Sequence, residues 1–401
     1  MCGKELKVKV MDMLTEAKKW KQKLVELRRY LHQYPEASMK EYETTVFIRN
    51  YLSEHEIPWI DAGETGTVAI VRGQKEKPVF GLRGDTDALE MDELNTCEYR
   101  SKNPGVMHAC GHDGHTAALL CAAEYLYQHR ENIPGTVKLI FQPGEENGQG
   151  ARSVVLSGAV DDVQGIFALH VANSLPIGKV TIRKGAMSAA NDKFRIWITG
   201  KGCHGSTPQK GADALMAGAA LAQTLQTVIT RESDPLKPTV MTIGILSSGT
   251  AFNILPENAY MEGSIRVLEE EQREVNREAI RRMAESTAAA YRCTAETKFE
   301  CTAKVVYNDE KLTDIAVSAA EKMLGAENVA EQELSLGAED FGEFLEICPV
   351  TYMNIGSRNE ELGITSSHHH GNFDIDEDSL PVCMAMYVQF AMDVFADFSQ
   401  L

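Results

Sequence analysis

Short apolar runs alternate with stretches of helical period at both ends of the chain, and this alternation constrains the fold more than any other feature. Val68–Val71, Val79–Leu82, Val137–Phe141 and Ile166–Leu169 read as strands. Their apolar character is continuous, which suits strands buried on both faces. Between them lie helical patterns. Leu14, Ala17, Trp20, Leu24, Leu27 and Leu31 recur in steps of three and four until Pro35, which disfavours helix at the residue before it. Residues 114–129 and 149–157 carry the same period. Strands alternating with helices predict a mostly parallel sheet covered by helices on both faces, an α/β fold.

The middle of the chain breaks the pattern. Phe194-Arg195-Ile196-Trp197-Ile198 alternates as a half-buried strand does. A helical stretch follows at 211–229, strand-like runs at 239–246 and 259–267, and a charged helix at 269–291. Helix 311–324, strand 350–355 and helix 378–396 then resume the α/β style. The reading is one discontinuous domain, 1–187 and 303–401, interrupted by a smaller α+β domain at 188–302. A chain of 401 residues suits two domains.

Charge excludes one class of function. Forty Lys and Arg face 58 Asp and Glu, net -18, whereas phosphate neutralisation needs clustered cations. The insertion carries 13 basic and 14 acidic residues, so the acidity lies on the flanking segments. No uninterrupted apolar run approaches the roughly 20 residues of a membrane helix. Met1-Cys2-Gly3-Lys4 is not followed by the apolar core of a signal peptide. Nine cysteines with no dense framework read as reduced thiols of a cytoplasmic protein.

Two clusters carry chemistry. His108-Ala109-Cys110-Gly111-His112-Asp113-Gly114-His115 offers imidazole and thiolate donors from one turn. A Cys ligand favours zinc, with manganese or cobalt possible, over magnesium or calcium. Glu145 and Glu146 follow a strand, and adjacent carboxylates there call for a cation or a shared proton. One can bind metal while its neighbour faces water. Asp85 and Asp87, His170, and His368-His369-His370 occupy comparable positions. In open α/β sheets, sites gather at the carboxyl ends of strands. Taken singly, each is more often a satisfied structural group. Their joint occurrence is the signal.

These blocks fall in one order: Leu27–His32 with Pro35-Glu36, Arg83–Leu89, Met107–Asp113, Phe141–Glu146, Leu169-His170, His204-Gly205-Ser206 before Pro208, Asn253-Ile254 before Pro256, Gly263–Arg266, Glu339-Asp340-Phe341, and the His run before Phe373-Asp374. The chain resembles the M20 metallopeptidase family, in its branch of N-acyl-amino-acid amidohydrolases, from about residue 24 to 395.

The resemblance implies two divalent ions per subunit, held by Cys110, His112, Glu146, His170 and one of His368–His370. Counting back from Phe373 selects His369, although Gly371 stands where the family usually has Pro. It further implies Glu145 as general base, Asp85 as the acid that orients its neighbours, and His204 as an oxyanion donor, often supplied across a dimer. Asn253 and Arg266 would grip the substrate carboxylate. The inserted domain would be a ferredoxin-like lid through which a homodimer forms, and the substrate a small N-acyl-amino acid, with no nucleic acid or membrane partner. Arg83 replaces a His that peptidase members use as a ligand, which disfavours a dipeptidase or carboxypeptidase. Thiol catalysis by Cys110 is a different class and would survive metal removal. A non-catalytic binding protein is opposed by the intact Glu145, Glu146 and Asp85.

Overall fold

The structure, a computed structural model, describes residues 12–398, so the reading of the N-terminal residues around Cys2 lies outside it. In chain order its helices are α1 (Met13–Lys18), α2 (Lys21–Gln33), α3 (Tyr42–Glu54), α4 (His112–Gln128), α5 (Gly150–Leu156), α6 (Ala214–Thr224), α7 (Glu270–Ala290), α8 (Glu310–Leu324) and α9 (Ser379–Phe398). The strands are β1 (Trp59–Asp61), β2 (Thr67–Arg72), β3 (Val79–Asp85), β4 (Thr136–Gln142), β5 (Ile166–Pro176), β6 (Val180–Ile182), β7 (Gly185–Ser188), β8 (Ala190–Thr199), β9 (Cys203–His204), β10 (Thr239–Ser248), β11 (Ile254–Leu255), β12 (Asn258–Val267), β13 (Thr294–Ala303), β14 (Val306–Asn308), β15 (Val329–Glu331) and β16 (Val350–Arg358). Two compact units result. Of the described residues, the larger takes those up to Gly185, Tyr307–Glu333 and those from Glu343; the smaller takes Ala186–Val306 and Leu334–Gly342. The segment 334–342, which sequence alone leaves with the flanking parts, clusters with the smaller unit.

In the larger unit the sheet runs β1-β2-β4-β3-β5-β16-β14. β4, β3, β5 and β16 are parallel neighbours, while β2 joins β4 antiparallel at the edge. β3 and β4 are buried along their whole length, as parallel strands covered on both faces are. The register sets Leu82 beside Leu139 and Phe167, so one apolar layer runs across three strands. The expected helix over 11–33 is two helices, broken at Lys19-Trp20. His170 lies inside β5 rather than at a strand end, because that strand continues to Pro176.

Within α9, Ser379–Ala396 is long and apolar enough to cross a membrane, with mean hydropathy 1.4, although Gln389 and Asp393 interrupt it. Yet 78% of that stretch is buried within the fold. Phe390 stacks on Phe167 at 4.5 Å and Phe395 meets Phe80 edge-on at 5.2 Å. α9 is a core helix against the sheet.

The smaller unit runs β8-α6-β10-β12-α7-β13, a βαββαβ order, and its antiparallel sheet is ordered β10-β12-β8-β13. That is the ferredoxin-like split βαβ arrangement. Phe194, Ile196 and Ile198 of β8 point into one core with Leu221 and Ile280 from the helices. The expected helix over 211–229 is shorter: the Asp213 carboxylate accepts from Met216 N at 3.0 Å and starts α6, and a wider π turn at Val228–Glu232 follows it.

Candidate active site

The site is built on the larger unit, where β3 and β4 end. Arg83 and Asp85 leave β3 fully buried. The Arg83 guanidinium donates to Gln142 Oε1 at 2.8 Å and to Asp85 Oδ2 at 2.7 Å. A buried cation needs such a partner. Burial alone would raise the Asp85 pKa; Arg83, then His112 and His115, outweigh it and hold the carboxyl well below its usual range. Arg83 thus neutralises Asp85.

The loop after β3 delivers the next donors. Gly111 turns the chain at φ 90°, where a Cβ would lie 2.3 Å from Val171 Cγ2, so glycine is required there. α4 starts directly after it. His112 Nδ1 donates to Asp87, 3.0 Å from its carbonyl and 3.2 Å from Oδ1. That bond places a proton on Nδ1 and turns Nε2 toward the site. His170 donates from Nδ1 to Val171 O at 2.6 Å, and its Nε2 lies 3.4 Å from Cys110 Sγ. Burial, then His115 and His368, push His170 well below the usual imidazole range, so it is a neutral ligand type. Burial and nearby Glu146 push the Cys110 thiol up. A nucleophilic cysteine needs the opposite.

The turn after β4 carries the carboxylates. Glu146 N donates to Asp87 Oδ2 at 3.0 Å, so Asp87 holds both His112 and this turn. Glu146 Oε1 lies 4.0 Å from His112 Nε2 and 3.3 Å from His369 Nε2. Cys110, His112 and His170 form one triad of donor atoms within 4.8 Å of one another; Cys110, Glu146 and His369 form a second; His112, Glu145 and Glu146 form a third. The first two share Cys110 and between them use all five donors named for metals. Among the described residues, His112 Nε2 and Glu146 Oε1 are buried without a hydrogen-bond partner of good geometry. Buried polar atoms are rarely left so, and both point where a cation would compensate them. The donor set fits a divalent metal.

The three consecutive histidines separate cleanly. His368 donates from Nε2 to Val171 O at 2.9 Å. His370 Nδ1 accepts from Asn372 N at 3.1 Å. His369, at φ 60°, alone of the three brings a ring nitrogen to Glu146.

The remaining expected residues lie on the smaller unit. β9 pairs with β11, setting His204 opposite Ile254 and next to Asn253. His204 is exposed, and its Nδ1 accepts from Ser206 N at 3.1 Å, which leaves the proton on Nε2. Arg266, on β12, spends one N–H on Leu336 O at 2.7 Å. Glu339 and Asp340 also belong to this unit.

Asp87 and His115 stand out in the sequence only as members of larger groups, and their supporting contacts do not show there. His115 nonetheless bridges Asp85 Oδ1 (2.5 Å) and Val171 N (2.9 Å). Behind the loop, Arg28 donates to Asp113 at 2.7 Å and His32 meets both Asp113 (2.8 Å) and Glu93 (3.3 Å). The Arg28 and His32 spacing of four along α2 was the available signal.

Residues 81–393 match the model of Peptidase family M20/M25/M40. The chain belongs to this family. The N-acetylcysteine deacetylase of Bacillus subtilis (strain 168) is 37% identical over 93% of this chain and 97% of its own length. Thermostable carboxypeptidase 1 of Saccharolobus solfataricus is 36% identical over 94% and 95%. Among solved structures, the M20 family Bacillus subtilis YXEP protein, described as a dinuclear metal binding peptidase, superposes with a TM-score of 0.83 at 34% identity, covering 94% of this chain and 99% of that one. The M20 chain described here is accordingly a hydrolase that acts on amide bonds.

Proposed function

We propose that the protein hydrolyses the amide of N-acyl-L-amino acids, releasing a carboxylic acid and a free amino acid. The observation that carries the reading is the turn holding Glu145 and Glu146 against His112, beside Cys110, His170 and His369. Cys110, His112, Glu146, His170 and His369 would hold two divalent ions, zinc, manganese or cobalt. When bound, such ions supply a water of near-neutral pKa and polarise the scissile carbonyl. Glu145 accepts the proton of the attacking water and delivers it to the leaving nitrogen. Asp85 keeps His115 and the base of the site in place. His204 offers its Nε2–H to the developing oxyanion. Asn253 and Arg266 bind the carboxylate next to the scissile nitrogen; a guanidinium retains further N–H donors after one is spent on Leu336.

The two curated relatives support one common feature. A deacetylated N-acyl-amino acid and a peptide cut by a carboxypeptidase both present a free carboxylate beside the scissile amide. A peptidase of the same fold is therefore the second reading. A panel varying acyl group and amino acid separately, with dipeptides and longer peptides included, decides between them. Peptides turned over faster than every N-acyl-amino acid would overturn the first.

We further propose that the smaller unit serves as lid and dimerisation domain of a cytoplasmic homodimer. Support comes from the exposed apolar residues Val240, Ile245 and Leu246 on edge strand β10, since an open apolar edge invites pairing. Sedimentation showing a fully active monomer would sink this.

A further inference from the structure

Glu41 is a fully buried carboxylate that the reaction does not use. It lies at the start of α3, 103 residues before the turn that carries Glu145 and Glu146. Its Oε1 accepts from Gly144 N at 2.9 Å and from Met39 N at 2.7 Å. Its Oε2 accepts from Thr65 Oγ1 at 2.7 Å. Three separate segments therefore meet on one carboxylate.

Gly144 has little freedom beyond that bond. It sits at φ 59°, and a Cβ there would come within 2.5 Å of Met39 Sδ. Met39 is itself held at φ 62°, a left-handed conformation that costs a β-carbon-bearing residue energy and that surrounding contacts must impose. Its N–H bond to Glu41 is such a contact. Another outside hold on the turn is Asp87, through Glu146 N. The turn is thus pinned at both ends by carboxylates: Asp87 at Glu146, Glu41 at Gly144, with Glu145 between.

We infer that Glu41 is a positioning residue, which sets the turn so that Glu145 faces the attacking water and Glu146 faces its metal. This rests on the reading of Glu145 as base and Glu146 as ligand. Its effect passes through Gly144 and never through substrate. Removing a direct hydrogen-bond partner of a metal ligand typically costs about ten- to hundredfold in affinity or activity, and Glu41 stands one step further out, at the lower end of that range.

Three variants test it. Glu41→Ala removes the acceptors. Glu41→Asp keeps the charge but falls one methylene short of Gly144 N. Glu41→Gln keeps Oε1 toward the two N–H groups and can donate to Thr65 Oγ1. The carboxamide thus keeps the length of the side chain and its three partners. The substrate is the N-acyl-amino acid turned over fastest by the wild type. The expected result is kcat down tenfold or more in Glu41→Ala and Glu41→Asp with KM within threefold, and Glu41→Gln within threefold of wild type. In metal-free protein, titrated Zn²⁺ binds about tenfold more weakly to the first two and normally to the third. A folded Glu41→Ala with kcat and Zn²⁺ affinity within twofold of wild type overturns the inference. If that variant does not fold, Glu41→Asp decides on the same criterion. Glu41→Gln failing as badly as Glu41→Asp overturns it too. Glu145→Gln is the control for the reading beneath: if it stays active, both fall; if it is inactive while Glu41→Asp is not, Glu41 alone loses its role.

Discussion

At the scale of residues, the donors proposed for metal stand out in the sequence, while the contacts that support them do not. Cys110 and His112 announce themselves by spacing, Glu145 and Glu146 by adjacency. Asp87 does not, because its value lies in reaching His112 and Glu146 together across the fold. The His run shows the same limit: counting selects His369, and only the backbone turn at φ 60° gives a physical reason. His369→Ala should weaken Zn²⁺ binding by more than the roughly ten- to hundredfold lost with a ligand's hydrogen-bond partner. His370→Ala should leave it unchanged; isothermal titration of metal-free protein measures both. Glu145→Gln should lower kcat on the order of a hundredfold or more, with Zn²⁺ content by atomic absorption unchanged. His32 gives a pH prediction. Burial and Arg28 push its pKa down, but the hydrogen bonds to Asp113 and Glu93 outweigh them and raise it. Its stabilising contribution is therefore complete below the unfolded value of about 6.5 and is lost as pH rises through the folded one. The gap in Tm between wild type and His32→Gln should shrink from pH 6 to pH 9, and a gap that grows would refute the assignment.

At the scale of elements, sequence period found most helices and strands and misplaced their ends. The helix expected over 211–229 ran through its own start signal, Asp213, and past the point where regular α6 gives way. His170 was placed at a strand end because the apolar run stops there, but β-pairing to β16 carries β5 onward. Caps and pairing partners decide such boundaries, and partners are remote in sequence. Two substitutions probe this level. Asp213→Ala should cost about 1 kcal/mol through the lost cap, read by urea unfolding. Gly111→Ala should cost more, on the order of 1–3 kcal/mol, because it combines left-handed strain with a clash against Val171. It should also weaken metal binding, since His112 follows directly; a stable variant with normal Zn²⁺ affinity would show that the loop can shift.

At the scale of the molecule, alternation of strand and helix was enough to read an α/β fold interrupted by an α+β segment. What it could not supply was membership by contact: 334–342 joins the smaller unit although the chain around it belongs to the larger. Hydropathy likewise cannot tell a buried core helix from a membrane span, and α9 satisfies both descriptions until its packing is seen. Exhaustive chelation should abolish turnover and added Zn²⁺, Mn²⁺ or Co²⁺ restore it. Activity that survives full metal loss, measured alongside metal content, would turn attention back to Cys110.

The burial of α9 bears on how the chain is made. The smaller unit is almost continuous in sequence, so it can close soon after β13 leaves the ribosome. The larger unit cannot, because Phe167 and Phe80 wait for Phe390 and Phe395, which are made only after the whole smaller unit. Until then, β3, whose Arg83 carbonyl accepts from Tyr387 of α9 at 2.7 Å, lacks that part of its cover. Before α9 is made, α4 can already cover part of that sheet, but the apolar patch that Phe390 and Phe395 fill stays open while the smaller unit can already be complete.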